Sequence, residues 1–342
     1  MKLFFDIVIV GSSPLGILES IYHSNKGLKV LIIDNSIKIG GAWKSISFTG
    51  IENVENAIHY LLPSETAFKF LDVNLKLELE EIEGKVTLYR FLGIFNVFLN
   101  YDGYLSNIIS FFLNKDFKNF KKIFKKKKSI YFKYGSPSMI NCLEKKLNES
   151  NVEVLLNKEI TKINFDKKIS LITKSGEIIK ANKIVCTNSS RLNNIFKGKE
   201  KIQVIEKIQK RPSIHLVLDD ESKSNKSQII YFNNPVIKYV HEITKYSTGE
   251  ISGKRIFVVA LKHELTETKE IFEQVHQILK ESNLCSNNSK ILYKKWTNVV
   301  LPRLFNEDLY ELKARLGEQF LFLKTESLTH SIEENYKKWI TI

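Results

Sequence analysis

The chain has 342 residues, with 52 Lys and Arg against 38 Asp and Glu for a formal net charge of +14, and 43% of its residues are hydrophobic. That much apolar material excludes a disordered polymer, a collagen and a small stapled peptide, and the length suits two domains or one domain with a large insertion. Cys142, Cys186 and Cys285 are odd in number and far apart, with no CxxC and no His at ligand spacing, so a reduced cytoplasmic chain without a metal site is expected.

No apolar run reaches the roughly 18 residues that a membrane helix needs. The longest candidate, Phe91 to Tyr101, is bounded by Arg90 and Asp102 and interrupted by Asn96 and Asn100. The opening MKLFFDIVIVG meets Asp6 almost at once and reads as a buried strand.

In chain order, Asp6 to Val10 predicts a strand, Pro14 to Ser24 a helix with apolar Leu15, Leu18 and Ile21, and Leu28 to Ile33 a second strand, which together make a βαβ unit. Residues 64 to 113 read as helices around a charged LKLELEEIEGK. The segment Lys115 to Lys133 carries nine Lys and one Asp, more than half of the net charge, interleaved with Phe117, Phe120, Ile123, Phe124 and Phe132. It reads either as a solvated helical face or as a surface for an anionic membrane or acidic partner, with a membrane-peripheral location in the second case. Lysine in place of arginine suits diffuse attraction, and no specific nucleic-acid binding is expected.

A helix is expected over 138–149 and strands over 152–156, 160–165, 169–174 and 183–186. From Pro212 to Lys262 four strands joined by polar turns (213–218, 228–232, 236–243 and 255–261) predict an antiparallel sheet. A helix follows over 266–282, then a strand over 319–323 and a helix from about 329 to 339.

The chemistry sits in the first βαβ unit, where Gly11-Ser12-Ser13-Pro14-Leu15-Gly16 follows a strand and opens a helix. Gly11 permits the tight turn, the helix N-terminus presents N–H groups to a pyrophosphate, and Gly16 permits close helix packing. Asp34 ends the second strand, where a carboxylate can accept from ribose hydroxyls. Ser13 stands where the fingerprint has its second glycine; a small hydroxyl there could donate to a phosphate oxygen.

Beyond Asp34 comes Gly40-Gly41-Ala42-Trp43. DIVIVGSSPLG, LKVLIIDNS and IKIGGAW together resemble the amino-terminal signature of the flavoprotein superfamily that includes amine oxidases, protoporphyrinogen oxidase, phytoene desaturases, UDP-galactopyranose mutase and Rab GDP-dissociation inhibitors. The added Gly-Gly pair implies FAD as the cofactor. Later segments are similar in the same order: YGSPSM with the strand around Ile160, ANKIVCTNSS with Thr187, Trp296 with Pro302, and FLFLKTESLTHSIEENYKKW with Glu326 and Ser331.

The resemblance therefore implies cofactor contacts at Gly11, Ser12, Ser13, Pro14, Leu15, Gly16, Asp34, Asn35, Lys38, Gly40, Gly41, Ala42, Trp43, Ile160, Thr187, Trp296, Glu326 and Ser331. It implies a mixed α/β and α+β fold: a Rossmann-like FAD-binding domain from 1–62, 130–205 and 290–342, and a discontinuous substrate domain of antiparallel sheet and helices from 63–129 and 206–289. In the family the chain reaches the flavin near His59 and Tyr60, so these are candidate catalytic residues, with His59 as a proton carrier. Lys238 is a candidate for the lysine that some members place at flavin N5. His215 and His241 are expected to be structural.

The activity implied is an oxidase or desaturase that moves a hydride equivalent from a small organic substrate to flavin N5. A mutase-like flavin isomerase is one alternative, weakened by the scarcity of arginines (Arg90, Arg211 and Arg255) for a diphosphate clamp in the insertions. A GDP-dissociation-inhibitor-like binding protein is the other, suggested by Ser13, Asn188, Thr325 and the short chain. No phosphate loop, HExxH, EF-hand or GxSxG is present, nor a second complete GxGxxG.

Overall fold

The computed structural model describes residues 3–57, 59, 61, 64–88, 99–102, 128–187, 194–204, 206–222, 228–262, 265–304, 306–323 and 328–335. The chain opens with β1 (Leu3–Val10), α1 (Pro14–Ser24) and β2 (Val30–Ile33), the βαβ unit that the apolar spacing predicts. The hairpin β3 (Ser45–Phe48) and β4 (Ile51–Glu55) follows, then α2 (Glu65–Leu75), β5 (Leu79–Leu88), β6 (Leu99–Asp102) and β7 (Lys128–Phe132).

Helix α3 (Ser136–Asn148) leads to β8 (Glu153–Leu155), β9 (Ile160–Phe165), β10 (Ile169–Thr173), β11 (Ile178–Cys186), β12 (Ile195–Lys197) and β13 (Glu200–Ile202). Next come β14 (Glu206–Asp219), β15 (Gln228–Asn233), β16 (Ile237–Glu242), β17 (Thr248–Gly249) and β18 (Lys254–Leu261). The last elements are α4 (Lys269–Glu281), β19 (Lys290–Leu304), α5 (Asn306–Leu316), β20 (Phe320–Phe322) and α6 (Leu328–Asn335).

Strands β8, β2, β1, β11 and β20 pair in parallel at the centre of a first sheet, which β10, β9, β12 and β13 extend. Side chains alternate across β1. Ile7 and Ile9 enter a core with α1, α2, α3 and Ile332 of α6, while Val8 and Val10 face a second core with β9, β10 and Leu312 and Leu316 of α5. A buried parallel sheet reads as a continuous apolar run, which is why IVIV and VLII were legible as strands.

A second sheet runs β19-β14-β18-β16-β15-β5-β6, with β7 also on β5; its contacts are antiparallel except β15 with β5. Helix α4 covers one face through Phe272, Val275 and Leu279, over Ile214, Leu216 and Val259. The other face carries Val217, Ile229, Ile256 and Val258 and meets Ile51 and Val54 of the β3–β4 hairpin. That hairpin, joined by β17, makes a third small sheet between the two large ones.

Three expectations need correction. Residues 79–88 and 99–102 form strands, not helices: β5 is held extended by β15 on one side and by β6 and β7 on the other, although its Leu, Glu and Lys favour helices. Residues 290–304, grouped by sequence with the first region, pair with β14 along its whole length in the second sheet. Helix α2, grouped with the second, buries Ala67, Phe70 and Leu71 in the core under the first sheet. Lys115–Lys127 lie outside the described residues. Among those described, no helix is long and apolar enough to cross a membrane.

At one end of the second sheet Arg255, 7% exposed, meets Glu242 at 2.5 Å and Asp220 at 3.6 Å. Arg255→Met leaves two carboxylates facing each other in a largely water-free site, so it should cost about 3–5 kcal/mol, read as a lower denaturant midpoint at unchanged slope.

Candidate functional site

The loop between β1 and α1 is shaped by what its glycines lack. Gly11 has φ of 102°, in the left-handed region, and a Cβ on Gly16 would lie 2.4 Å from the Gly11 carbonyl oxygen and 3.1 Å from Thr187 Cγ2. Thr187 is fixed behind the loop, its backbone N–H and hydroxyl both donating to the Val10 carbonyl at 3.0 Å. Ser13 caps α1, its Oγ accepting from Gly16 N–H at 3.4 Å, so the residue in the second glycine position turns its side chain onto the helix and keeps its own hydroxyl proton for another acceptor.

Asp34 organises the same loop. Its Oδ2 accepts from Ser12 N–H at 2.6 Å and Ser12 Oγ at 2.7 Å, and its Oδ1 accepts from Ser36 N–H at 2.7 Å. A narrow cleft of about 20 Å³ lies beside it, lined by Val10, Gly11, Ile33, Asp34, Asn35, Lys158 and Ile160. Gly11, Asp34, Asn35 and Ile160, singled out separately in sequence, thus share one crevice. Ser12 is buried and Lys38 exposed; Lys44, which the sequence did not single out, donates to Ser36 Oγ at 3.3 Å.

The Gly-Gly segment closes on the loop from above. Gly40 N–H donates to the Ser12 carbonyl at 2.8 Å, and a Cβ on Gly41 would lie 3.5 Å from Ser13 Cα. Both glycines have positive φ, 103° and 56°. A short helical turn follows and sets Trp43 face to face with His59, centroids 4.2 Å apart, with Phe132 edge-on to Trp43 at 6.0 Å. His59 Nδ1 is sealed without a partner among the described residues. Loss of water pushes the imidazole down to about 3, against a smaller opposing effect of the Ala57 backbone. Burial there favours the neutral ring.

A buried polar junction, missed in the sequence, ties the two large sheets together. Glu55 at the end of β4 is fully buried; its carboxyl accepts from Ser136 N–H, the first amide of α3, at 2.7 Å and from the Tyr131 hydroxyl. Gly135 supplies no capping side chain to α3, and a Cβ there would lie 3.0 Å from Glu55 Oε1. His215, also fully buried, donates from Nε2 to the Glu55 carbonyl at 2.7 Å. Burial pushes Glu55 up to about 7, opposed by its bonds from Tyr131 and Ser136, and pushes His215 and His241 down to about 4 and about 3. Both histidines are interior residues, His241 edge-on to Tyr131. No local motif marks Glu55; only the pairing of β5 with β7 carries Tyr131 to it.

Other candidates are scattered. Trp296 pairs with Ile214 and packs on the α4 side of the second sheet, so strand alternation turns it away from the face that His215 presents to the hairpin. Ser331 is buried in α6, which touches α2 through Glu333 and Ser64 at 3.1 Å. Lys238 is exposed at a bulge in β16. Tyr60 and Glu326 lie outside the described residues. A roomier hollow, of about 440 Å³, opens among α1, α2 and α3 around Tyr22, Asn74 and Lys146, away from the glycine loop.

Two family models match this chain: an NAD(P)-binding Rossmann-like domain over residues 9–73, and the flavin containing amine oxidoreductases over residues 65–301, more than half of its length. The chain belongs to the flavin containing amine oxidoreductases. It is accordingly an FAD-dependent oxidoreductase, a flavoprotein on a Rossmann-like fold.

Solved structures share the fold of this flavin oxidoreductase at low identity. A wild-type putrescine oxidase bound to putrescine is 11% identical over 100% of each chain with a TM-score of 0.67. RAB GDI from Plasmodium falciparum is 14% identical over 99% of this chain and 98% of its own, at 0.62. An oxidoreductase from Methanosarcina mazei is 13% identical over 87% and 88%, at 0.60. No curated protein sequence matches.

The residues present suit the cofactor: the glycine cradle leaves open what side chains would fill, and the crevice beside Asp34 continues from it. In Gly16→Ala the new methyl meets backbone, so the purified variant should lose its flavin absorption while a Lys199→Gln control, at an exposed position between β12 and β13, keeps it. Glu55 generates a second expectation. Its folded value lies above its ordinary 4.5, so its contribution to stability is whole below about pH 4.5 and is lost as pH rises through about 7. The loss is on the order of 3 kcal/mol. Thermal unfolding from about pH 5 to pH 8 should show that decline in the parent and a flatter profile in Glu55→Gln.

Proposed function

We propose that this flavin oxidoreductase oxidises a small organic substrate held between the Gly40–Trp43 segment and the inner face of the second sheet. When bound, FAD supplies the acceptor, flavin N5, for a hydride equivalent from the substrate. The backbone from Gly11 to Gly16 and the N-terminal end of α1 would hold the diphosphate, with the Ser13 hydroxyl as a donor, and Asp34 and Asn35 would take the ribose beside Ile160. Gly40, Gly41 and Ala42 would carry the chain past the rest of the cofactor, and Thr187 would keep the loop in place. The observation that carries this reading is the 2.8 Å bond from Gly40 N–H to the Ser12 carbonyl, which joins the Gly-Gly segment to the dinucleotide loop.

Trp43 and His59, with Tyr60 as the next residue in sequence, would form an aromatic wall that orients substrate and excludes water. The neutral imidazole offers stacking and hydrogen bonding, not charge. Two functional regions are retained, one built on each large sheet, with β19 assigned to the second and α2 to the first. The mutase-like alternative loses support because Arg255 is already engaged by Glu242 and Asp220 and so is not available to clamp a diphosphate. A binding protein without redox activity remains the competing reading, since RAB GDI shares the fold.

Purification and spectroscopy test the proposal. The protein should be yellow, or become so on reconstitution with FAD, and anaerobic addition of one member of a panel of amines and polyenes should bleach it. A protein that takes up FAD yet is bleached by no organic donor would overturn the oxidase reading and favour the binding protein.

A further inference from the structure

Strand β18 ends in two contrasting electrostatic settings. At its start Arg255 is neutralised by Glu242 and Asp220. Past its other end Lys262 is one of a group of cations. Ser213 of β14 faces Ala260 of β18 at the last rung of their ladder, and Arg211 and Lys262 each lie two residues beyond that rung. Lys262 is fixed there by its N–H, which donates to the Val236 carbonyl at 3.0 Å.

On the other side of β18, Ile237 pairs with Leu261 and Tyr239 with Ala260, which leaves Lys238 as the inserted residue of a bulge. The bulge places the Lys238 ammonium 5.8 Å from the Tyr239 ring centroid. Three neighbouring strands thus bring three cations together, and among the described residues no carboxylate pairs with Arg211, Lys238 or Lys262. Burial lowers the affinity of Lys238 for its proton, and the charges of Arg211 and Lys262 lower it further.

Like charges set side by side in a sheet are mutually destabilising, and a pairing that brings them together is relieved by an anion. The surroundings suit one. Arg211 shares a strand face with Ser213 and His215, the face turned toward the β3–β4 hairpin. Its neighbours on that face are small, Ser213 at 5% and Ala260 at 9% exposure, with Thr297 bonded to the Ser213 carbonyl at 3.4 Å and Tyr239 as an aromatic side. This end of the sheet is also where the chain enters from β13 and leaves toward α5, the side of the first sheet.

We propose that Arg211, Lys238 and Lys262 form a binding site for an oxyanion group, a carboxylate or a phosphate, carried by the substrate. The inference rests on the reading of the inner face of the second sheet as the substrate face. Arginine supplies a planar fork for two oxygens and the lysines supply point charges on either side. Lys238 then acts as a binding group. A substrate with an acidic end is favoured, and a simple diamine, whose second ammonium would meet three like charges, is disfavoured.

Calorimetric titration of the full-length protein with inorganic phosphate and, separately, with glutarate at constant ionic strength tests the site and distinguishes the two chemistries. The parent should bind one of them, and Arg211→Gln and Lys262→Gln should each weaken that binding by about tenfold or more. Lys290→Gln, at the far end of the same sheet opposite Asp219, should leave it unchanged. A thermal readout guards against a variant that merely misfolds: Lys238→Gln should unfold at a higher temperature than the parent without anion, and gain less from added anion. Absence of heat with both anions, equal affinity in the variants, or a destabilised Lys238→Gln overturns the proposal. Flavin absorption on the same samples separates the two readings: colourless protein that binds anions keeps the site and loses the redox assignment, whereas yellow protein without anion affinity loses only the site.

Discussion

A methyl group at residue 16 would collide with the carbonyl of residue 11, and the tight turn from β1 into α1 exists because none is there. That close approach lets α1 begin directly against the end of β1, with Thr187 filling the space behind and Asp34 drawing Ser12 and Ser36 into one turn. The Gly40–Gly41 segment can then descend onto the loop, since neither glycine presents a side chain to Ser13 or Ile140. Each later feature of the site, including the Trp43–His59 stack, is positioned from this contact outward.

Glu55 performs a comparable service between sheets. One carboxyl receives the first amide of α3 and the Tyr131 hydroxyl, while the carbonyl of the same residue receives His215 from β14. A buried carboxyl is expensive unless its bonds are made, so the geometry of three separate elements is specified at one point. The raised proton affinity of this group is the electrostatic signature of that burial.

The first region was legible in sequence because its signals are local: an apolar run of four or five residues, a glycine at a tight turn, a carboxylate at the end of the next strand. α1 begins and ends where Pro14 and Ser24 predict. The strand β5 was not legible as such, because Leu, Glu and Lys favour helices and only partners from β7 and β15 impose the extended form. Trp296 shows the same limit for function: its residue type suits a flavin pocket, but register against Ile214 decides which side of the sheet it occupies. Glu55, Arg211 and Lys262 are ordinary charged residues until strand pairing sets their neighbours.

The ladder between β14 and β19 joins residues such as Ser213 and Thr297, whose separation along the chain is 84 positions. Closing so large a loop costs entropy before any pairing repays it, whereas β1, α1 and β2 can assemble from one short stretch. The first sheet as a whole is no more local, since β1 takes β11 as its neighbour, with Thr187 bonded to Val10 across 177 positions, and β20 and α6 complete it; neither large sheet can therefore close until nearly the whole polypeptide has been made.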